Sequence, residues 1–274
     1  MKNKTISSQS ARLLSHLNQN NQTFFTVKDA QSILVDSKKP TILVLLHSMI
    51  SRGLLMRIKD GLYHVIPYEK DSANYFPNWH LTAQAMVQSK KYYIGFYSAL
   101  DMYGLITQPS LVEYIVVQQR MIPKLHKVGE VPFEFITLSQ NHFFGVKNQW
   151  IDDFNKVCFS DLEKTIIDCL FIPRNAGGIT EIIKAIHKCR KDINPDQLFT
   201  YLEQFKVQAV NKRLGFILQH LDLLDDLRKE LAKTIRDGYN SLEPSLPKNG
   251  RHNSTWRILD NINIPSVIQS LNTK

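Results

Sequence analysis

The chain has 274 residues, of which 43% are hydrophobic and 22% are charged, and its formal net charge is +9. These values predict a globular protein with an apolar core and either two domains or one domain with an appendage. No run of about 18 apolar residues predicts a membrane span, and the polar N-terminal segment is unlike a secretory signal.

Residues 26–66 predict two short helices followed by a β-hairpin. Thr26 precedes apolar residues at helical spacing, and Asp29 stands where a capping box needs its acidic partner. A second helical run stops at Gly53, a residue type common at helix C-termini. Asp60-Gly61 then separates two apolar strand-like runs, which is a strong hairpin signal. This order of elements is that of a winged helix-turn-helix, a DNA-binding module.

Basic residues are concentrated in the same part of the chain. Residues 1–70 contain ten Lys or Arg and four Asp or Glu, so they carry +6 of the total +9. The second helix of such a module can lie in the major groove while the hairpin reaches the flanking backbone. Ser37 can also cap that helix. The residues predicted to contact DNA are Lys28, Ser37, Lys38, Lys39, Thr41, His47, Ser48, Arg52, Arg57 and Lys59.

Two aliphatic residues stand on the side of the second helix that would face the groove. Leu43 and Val44 lie outside the apolar stripe of that helix. They can touch thymine methyl groups, or they can pack against the second domain or a second subunit. The alternative hypothesis is therefore a protein-interaction module that docks a partner through the winged helix and has no DNA role.

The rest of the chain predicts a linker over residues 71–80 and a second domain over residues 81–274. Strand-like runs occur over residues 114–118, 133–137 and 156–159. Helical patterns dominate from residue 160 onward. The predicted fold class is α+β, with an N-terminal winged helix-turn-helix over residues 1–70. A larger mixed α+β domain follows, with a small sheet and a helical C-terminal half.

The second domain contains no common catalytic motif. Scattered carboxylates suggest a nuclease, but their spacing does not match the D-x-E-x-K pattern, so we expect no enzyme and no cofactor. The cysteines Cys158, Cys169 and Cys189 lack C-x-x-C spacing, which argues against a structural zinc site. Unclustered cysteines also favour a reducing compartment, and we expect a cytoplasmic protein.

Charged residues on two predicted helices allow more than one interpretation. Ser160 and Glu163 have capping-box spacing, and Glu163, Lys164 and Asp168 can form ion pairs on the solvent side of one helix. Further along, the charged residues Lys212 and Arg213 indicate a solvated helix face or, alternatively, a surface for an anionic partner.

Several blocks of sequence, in their order, resemble a known family. They are YIGFYSALDMYGL (Tyr93–Leu105), FFGV (Phe143–Val146), SDLEKTIIDCLFIPRNAGG (Ser160–Gly178) and NKRLGF (Asn211–Phe216). The chain resembles the AbiEi family, the antitoxin and transcriptional regulator of AbiE-type type IV toxin–antitoxin systems. The resemblance extends from about Ser10 to Asn261, and E-K-T-x-x-D and K-R-L-G are its more specific blocks.

The resemblance implies a protein with two functions. Its winged helix would bind operator repeats and repress its own operon, and its second domain would counteract a nucleotidyltransferase-like toxin encoded beside it. The expected partners are double-stranded operator DNA and that toxin, with or without direct contact, and no membrane. No coiled coil is present in the sequence, so we expect a monomer or weak dimer. The antitoxin-domain motif maps onto Glu163, Lys164, Asp168, Lys212 and Arg213, without an assigned chemistry.

Overall fold

The computed structural model describes residues 4–88 and 90–271. The chain divides into two compact units. The first comprises residues 4–88 with Val128–Glu130, and the second comprises Lys90–Lys127 with residues 131–271. Helices and strands occur in both units, so the α+β class expected from the sequence is confirmed.

The first unit combines helices with a three-stranded antiparallel sheet of order β1-β3-β2. Its elements are α1 (Ser8–Gln19), β1 (Phe24–Thr26), α2 (Val27–Ile33), α3 (Lys39–Ser51), β2 (Leu55–Lys59), β3 (Leu62–Val65) and α4 (Trp79–Val87). The apolar sides of the first three helices meet the sheet in one core. That core contains Leu13, Leu17, Phe25, Ala30, Leu34, Ile42, Leu46, Met49, Leu54, Leu55 and Tyr63.

Local signals in the sequence explain where α2 and the hairpin form. Asp29 N–H donates to Thr26 Oγ1 at 3.2 Å, and Thr26 N–H donates to Asp29 Oδ2 at 2.6 Å, so the predicted capping box is confirmed. Asp60-Gly61 lies at the tip of the β2–β3 hairpin, where Gly61 has a φ of +73°. A side chain would strain that left-handed conformation.

The expected cap of α3 is wrong. Lys38, not Ser37, is the N-cap residue, and it forms no side-chain cap hydrogen bond. The Ser37 hydroxyl instead accepts a hydrogen bond from Gln9 Nε2 at 3.4 Å. Pro40 lies in the first turn of α3 and has no N–H group, so one fewer donor there needs a partner.

Helix α4 belongs to the first unit, although we place the start of the second domain at residue 81. It contacts β2, and Lys59 Nζ donates to Met86 O at 2.7 Å. Residues of the expected linker also pack in this unit, because His64 Nε2 and the Tyr75 hydroxyl share a hydrogen bond of 2.9 Å. These long-range contacts are consistent with the place of the segment in the first unit.

The second unit begins with strands and continues with helices. Its sheet elements are β4 (Tyr92–Ile94), β5 (Glu113–Val117), β6 (Leu125–Val128), β7 (Val131–Thr137), β8 (Val146–Trp150) and β9 (Lys156–Ser160), with α5 (Phe96–Met102) between the first two. The sheet is mixed and has the order β6-β7-β5-β4-β9-β8. The central strand β4 is antiparallel to β5 and parallel to β9.

This sheet is larger than expected. The three strand-like runs correspond to β5, β7 and β9, but β4, β6 and β8 were not predicted. Strand β4 spans three residues, too few to show a periodic pattern. Strand β8 is mostly exposed and polar, and its pairing with β9 defines it as a strand.

The helical C-terminal half is confirmed. It contains α6 (Leu162–Phe171), α7 (Ile179–Lys188), α8 (Pro195–Phe205), α9 (Gln208–Leu221) and α10 (Asp225–Thr234). A tail follows with β10 (Asn240–Ser241), β11 (Arg251–Asn253), β12 (Ile258–Asp260) and α11 (Ile264–Leu271). The three short strands form a second sheet of order β10-β12-β11. Within the described residues, no helix is both long and apolar enough to cross a membrane.

Candidate nucleic-acid interface

Helix α3 has one buried side and one solvent-facing side. Ile42, Leu46 and Met49 are fully buried in the core of the first unit. The opposite side exposes polar residues together with two aliphatic ones. The exposed residues are Lys39, Pro40, Thr41, Leu43, Val44, His47, Ser48 and Ser51. This division leaves a complete helical face without an intramolecular partner in the first unit.

Three lysines near this face are available for an anionic ligand. Lys38 and Lys39 are exposed at the N-terminal end of α3, and Lys28 is exposed on α2. None of the three forms an ion pair within residues 4–88. The positive end of the helix dipole adds to the attraction of an anion at Lys38 and Lys39.

The hairpin contributes a further cation beside α3. Arg57 lies on β2 and pairs with Asp60 at the hairpin tip, and both side chains are largely exposed. Exposed pairs of this kind contribute little to stability and separate at small cost. Arg57 therefore remains available to a phosphate.

Two of the predicted DNA contacts already have structural partners. Arg52 donates to Thr5 O at 2.7 Å, to Ser10 Oγ at 3.1 Å and to Ser48 O at 3.1 Å, and so joins the end of α3 to the start of α1. Lys59 donates to the last turn of α4, as described above. A phosphate contact at either residue would compete with these hydrogen bonds.

A cleft of about 420 Å³ separates α3 from the hairpin. Leu43, His47 and Ile50 line it from α3, and Arg57 and Tyr63 line it from the strands. Of the two aliphatic residues on the free side of α3, Leu43 therefore partly faces this cleft, and its side chain is 41% exposed. Val44 is not among the residues that line the cleft, and it is 71% exposed.

The charged residues of α6 are buried, so the expectation of solvent-facing pairs is wrong. Glu163 accepts a hydrogen bond from Asn194 N–H at 2.8 Å, which joins α6 to the N-terminus of α8. The capping-box expectation is also wrong, because Asp161 caps α6 by accepting from Lys164 N–H at 2.9 Å. The Ser160 hydroxyl instead hydrogen-bonds with Thr165 Oγ1 at 2.7 Å.

Lys164 and Asp168 form an ion pair with no solvent exposure. The Tyr93 hydroxyl donates to Asp168 Oδ2 at 2.8 Å and accepts from Lys164 Nζ at 2.9 Å. The rings of Tyr93, Phe144 and Phe205 each lie 5.2 Å from Lys164 Nζ. Burial lowers the pKa of Lys164 and raises that of Asp168, while each partner opposes the shift of the other. The arrangement holds α6 against β4.

Lys212 and Arg213 are also buried, so a solvated helix face is excluded for them. Lys212 Nζ donates to Gly238 O at 2.6 Å, and Arg213 donates to Leu170 O at 2.7 Å and Ser241 O at 3.2 Å. Lys212 thus joins α9 to the tail, and Arg213 joins α9 to both the tail and α6. Burial lowers the pKa of Arg213 to about 10, against the opposing charge of Glu243.

No family model matches the chain, and no curated protein matches it. Among solved structures, the chain is similar to the RV2827C protein from Mycobacterium tuberculosis, with 12% sequence identity and a TM-score of 0.74. The similarity covers 98% of this chain and 96% of that one. The two proteins share a fold. At this identity the likeness gives no information about activity.

Several residues of the α6 network were not identified from the sequence. Asp161 not only caps α6 but also accepts from the Tyr201 hydroxyl at 2.8 Å, which joins α6 to α8. An aspartate directly before a helix is as good a cap as a serine, so this role had a local signal. Tyr93 lies 75 positions before Asp168, and no local pattern relates the two residues.

Proposed function

We propose that the first unit is a winged helix-turn-helix that binds double-stranded DNA, and that the protein is a transcriptional autorepressor and antitoxin of a type IV toxin–antitoxin system. The observation that carries the DNA-binding part is the free face of α3, with exposed Thr41, His47 and Ser48 beside the unpaired Lys38 and Lys39. The autorepressor and antitoxin parts rest on the resemblance to the AbiEi family.

In the proposed complex, α3 enters the major groove and the hairpin follows the backbone. Thr41, His47 and Ser48 supply hydrogen-bonding groups toward base edges. Lys28, Lys38, Lys39 and Arg57 neutralise phosphates. Arg52 and Lys59 contribute less to phosphate binding, because their side chains already donate to backbone carbonyls within the unit. The net charge of +6 on residues 1–70 supports binding to a polyanion.

A gel-shift with duplex DNA from upstream of the protein's own gene tests this part. The double variant Lys38→Ala, Lys39→Ala removes two exposed cations and should weaken binding by about tenfold or more. The matched control is Lys229→Ala, Lys233→Ala, which removes two exposed lysines of α10. Equal binding by both double variants would contradict the assignment of α3 to the groove.

A protein-docking role for the same face is the second candidate, because Val44 is 71% exposed on it. Val44→Lys separates the two hypotheses. A lysine at this position places another cation against DNA and should leave duplex binding intact or tighter. The same change would remove an apolar contact from a docked protein. Loss of a co-purifying partner in this variant, together with no duplex binding by the wild-type protein at low salt, would favour docking.

Co-expression tests the antitoxin part. If a nucleotidyltransferase-like toxin gene lies beside this gene, the toxin should arrest growth and the full chain should relieve the arrest. The Lys38→Ala, Lys39→Ala variant should still protect, because those residues lie in the DNA-binding unit. Continued arrest in the presence of the folded wild-type chain would refute antitoxin activity.

A further inference from the structure

A basic cleft of about 430 Å³ lies in the second unit, where α9 meets the tail sheet. Its lining includes Arg213, Lys248 and His252, and no acidic residue is among the eight that line it. Clefts of this size are typical of small-ligand sites, whose volumes range from about 300 to 1,000 Å³. Neither the DNA-binding surface nor the network around α6 uses this cleft.

The register of the tail sheet builds one wall of the cleft. Leu259 on β12 stands directly opposite Ser241 on β10 and His252 on β11. Directly opposed residues on neighbouring strands project to the same face of a sheet. The three side chains thus form a row across the sheet, with an apolar centre and a hydrogen-bonding group at each end.

Arg213 is the most buried of the basic residues that line the cleft. The residue is 6% exposed, and its Nε and Nη1 donate to backbone carbonyls. Its Nη2 has no acceptor, and no carboxylate lies within ion-pair distance, among the residues that the structure describes. The carboxylate of Glu243 accepts hydrogen bonds from the N–H groups of Ile179 at 2.8 Å and Ser245 at 3.1 Å.

Arg213 experiences the opposing charge of Glu243 but forms no direct ion pair with it, whereas the desolvation of a buried ion is normally offset by a directly paired charge. Backbone carbonyls accept from Nε and Nη1 but carry no net charge. An anion that enters the cleft can accept from Nη2 and form the direct charge pair that Glu243 does not form. Lys248 is exposed at the cleft and provides a second cation for the same ligand.

An aromatic surface lies in the same cleft. The Tyr239 side chain is 44% exposed, and its ring meets the His252 ring at a centroid distance of 4.7 Å and an angle of 86°. The Arg257 guanidinium lies over the same ring, 5.7 Å from its centroid, and the side chain keeps its 44% exposure beside these two contacts. An exposed aromatic ring beside a cationic site can stack with a planar base.

We propose that this cleft binds a nucleoside phosphate, with the phosphate against Arg213 and Lys248 and the base against Tyr239. Ser241 lies in the lining, on the same face of the sheet as Leu259 and His252, and its hydroxyl offers a hydrogen bond to the sugar. This ligand is separate from the duplex DNA of the proposed function.

Isothermal titration calorimetry of the full-length protein tests the proposal, with ATP as the probe and adenosine and inorganic phosphate as comparisons. ATP should bind, and each comparison ligand should bind at least about tenfold more weakly, because each lacks one of the two contacts. Absence of ATP binding would overturn the proposal. If inorganic phosphate binds as tightly as ATP, the base makes no contact with Tyr239. If adenosine binds as tightly as ATP, the phosphate makes no contact with the basic residues. Either result overturns the proposal.

Variants at exposed positions localise the binding without disturbing the fold. Lys248→Glu and Tyr239→Ala should each weaken ATP binding by about tenfold, with unchanged thermal unfolding. Lys38→Ala, Lys39→Ala should leave ATP binding unchanged, which separates this cleft from the DNA surface. If ATP affinity falls in that variant and not in the two cleft variants, the ligand binds in the first unit and the proposal is wrong.

Discussion

His64 is a buried, titratable residue of the first unit. It lies on β3 beside the Phe24 ring, with a centroid distance of 4.4 Å, and it shares a hydrogen bond with Tyr75. Burial lowers its pKa from 6.5 to about 4, and the nearby Thr23 backbone opposes part of this shift. The folded state therefore favours the neutral ring.

This pKa predicts how the stability of the first unit depends on pH. A lowered pKa of a base means that the stabilisation is complete above the unfolded value of 6.5 and is lost as the pH falls toward about 4. The loss between pH 7.5 and pH 5 should be about 2 kcal/mol. Urea unfolding of wild type and His64→Gln at these two pH values measures it. The variant should lack that part of the loss, and equal pH dependence of the two proteins would contradict the prediction.

The Lys164–Asp168 pair predicts a large and recoverable loss of stability. Lys164→Met leaves the Asp168 carboxylate buried without its cation, and it should reduce the free energy of unfolding by about 3–5 kcal/mol. The double variant Lys164→Met, Asp168→Leu removes both charges and should recover most of that loss. Denaturant unfolding of the two single variants and the double variant measures the coupling. A double variant less stable than Lys164→Met would argue against the pair as the cause.

Residues with nearby partners in the sequence were predictable, and residues with distant partners were not. The Thr26–Asp29 capping box joins positions three apart, so the sequence contains the whole interaction. Arg213 bonds carbonyls 43 and 28 positions away, and its burial depends on where the tail folds. A Lys-Arg dipeptide on a helix ordinarily indicates a solvated face, so no local pattern contradicted that expectation.

At the scale of elements, α9 is the helix on which the tail packs. Gly215 follows Arg213 by two positions, and a Cβ atom there would lie 2.0 Å from the Trp256 ring. The indole N–H of Trp256 donates to Gln219 Oε1, one turn further along the same helix. The glycine of the K-R-L-G block thus gives the ring space against the helix backbone.

This packing predicts whether a substitution at Gly215 stabilises or destabilises the second unit. In a helix without such a contact, Gly→Ala stabilises by about 1 kcal/mol. Here Gly215→Ala should instead destabilise the second unit by about 1–3 kcal/mol, because the indole must shift. Thermal unfolding followed by Trp fluorescence measures the effect. Stabilisation by the substitution would show that Trp256 does not pack on the helix at this position.

Whole elements were predictable where a periodic pattern was long enough. The five helices of the C-terminal half are 10 to 14 residues long and show clear apolar stripes. The tail strands are two or three residues long, and pairing between distant segments defines them. Because strands this short have no periodic pattern, the sequence does not predict the cleft beside the tail. It shows only that Arg213 is a charged residue on a helix.

At the scale of the whole molecule, charge is distributed unequally along the chain. Residues 1–70 carry +6, and the remaining residues carry +3. Lys212 and Arg213 are buried, and they donate to backbone carbonyls within the second unit. The exposed, unpaired Lys28, Lys38 and Lys39 are therefore better placed than these two residues for the proposed binding to DNA. The similarity in fold to a protein with 12% identity shows that this architecture forms from very different sequences.

The salt dependence of duplex binding tests the DNA-binding claim most directly. Each phosphate contact contributes about −0.9 to the slope of log K against log salt concentration. For upstream DNA of the protein's own gene, Lys38→Ala, Lys39→Ala should therefore have a slope shallower than wild type by about 2, and Lys229→Ala, Lys233→Ala should retain the wild-type slope. A wild-type slope in the α3 variant, or no binding by wild type at low salt, would contradict the assignment of α3 as the DNA-binding helix.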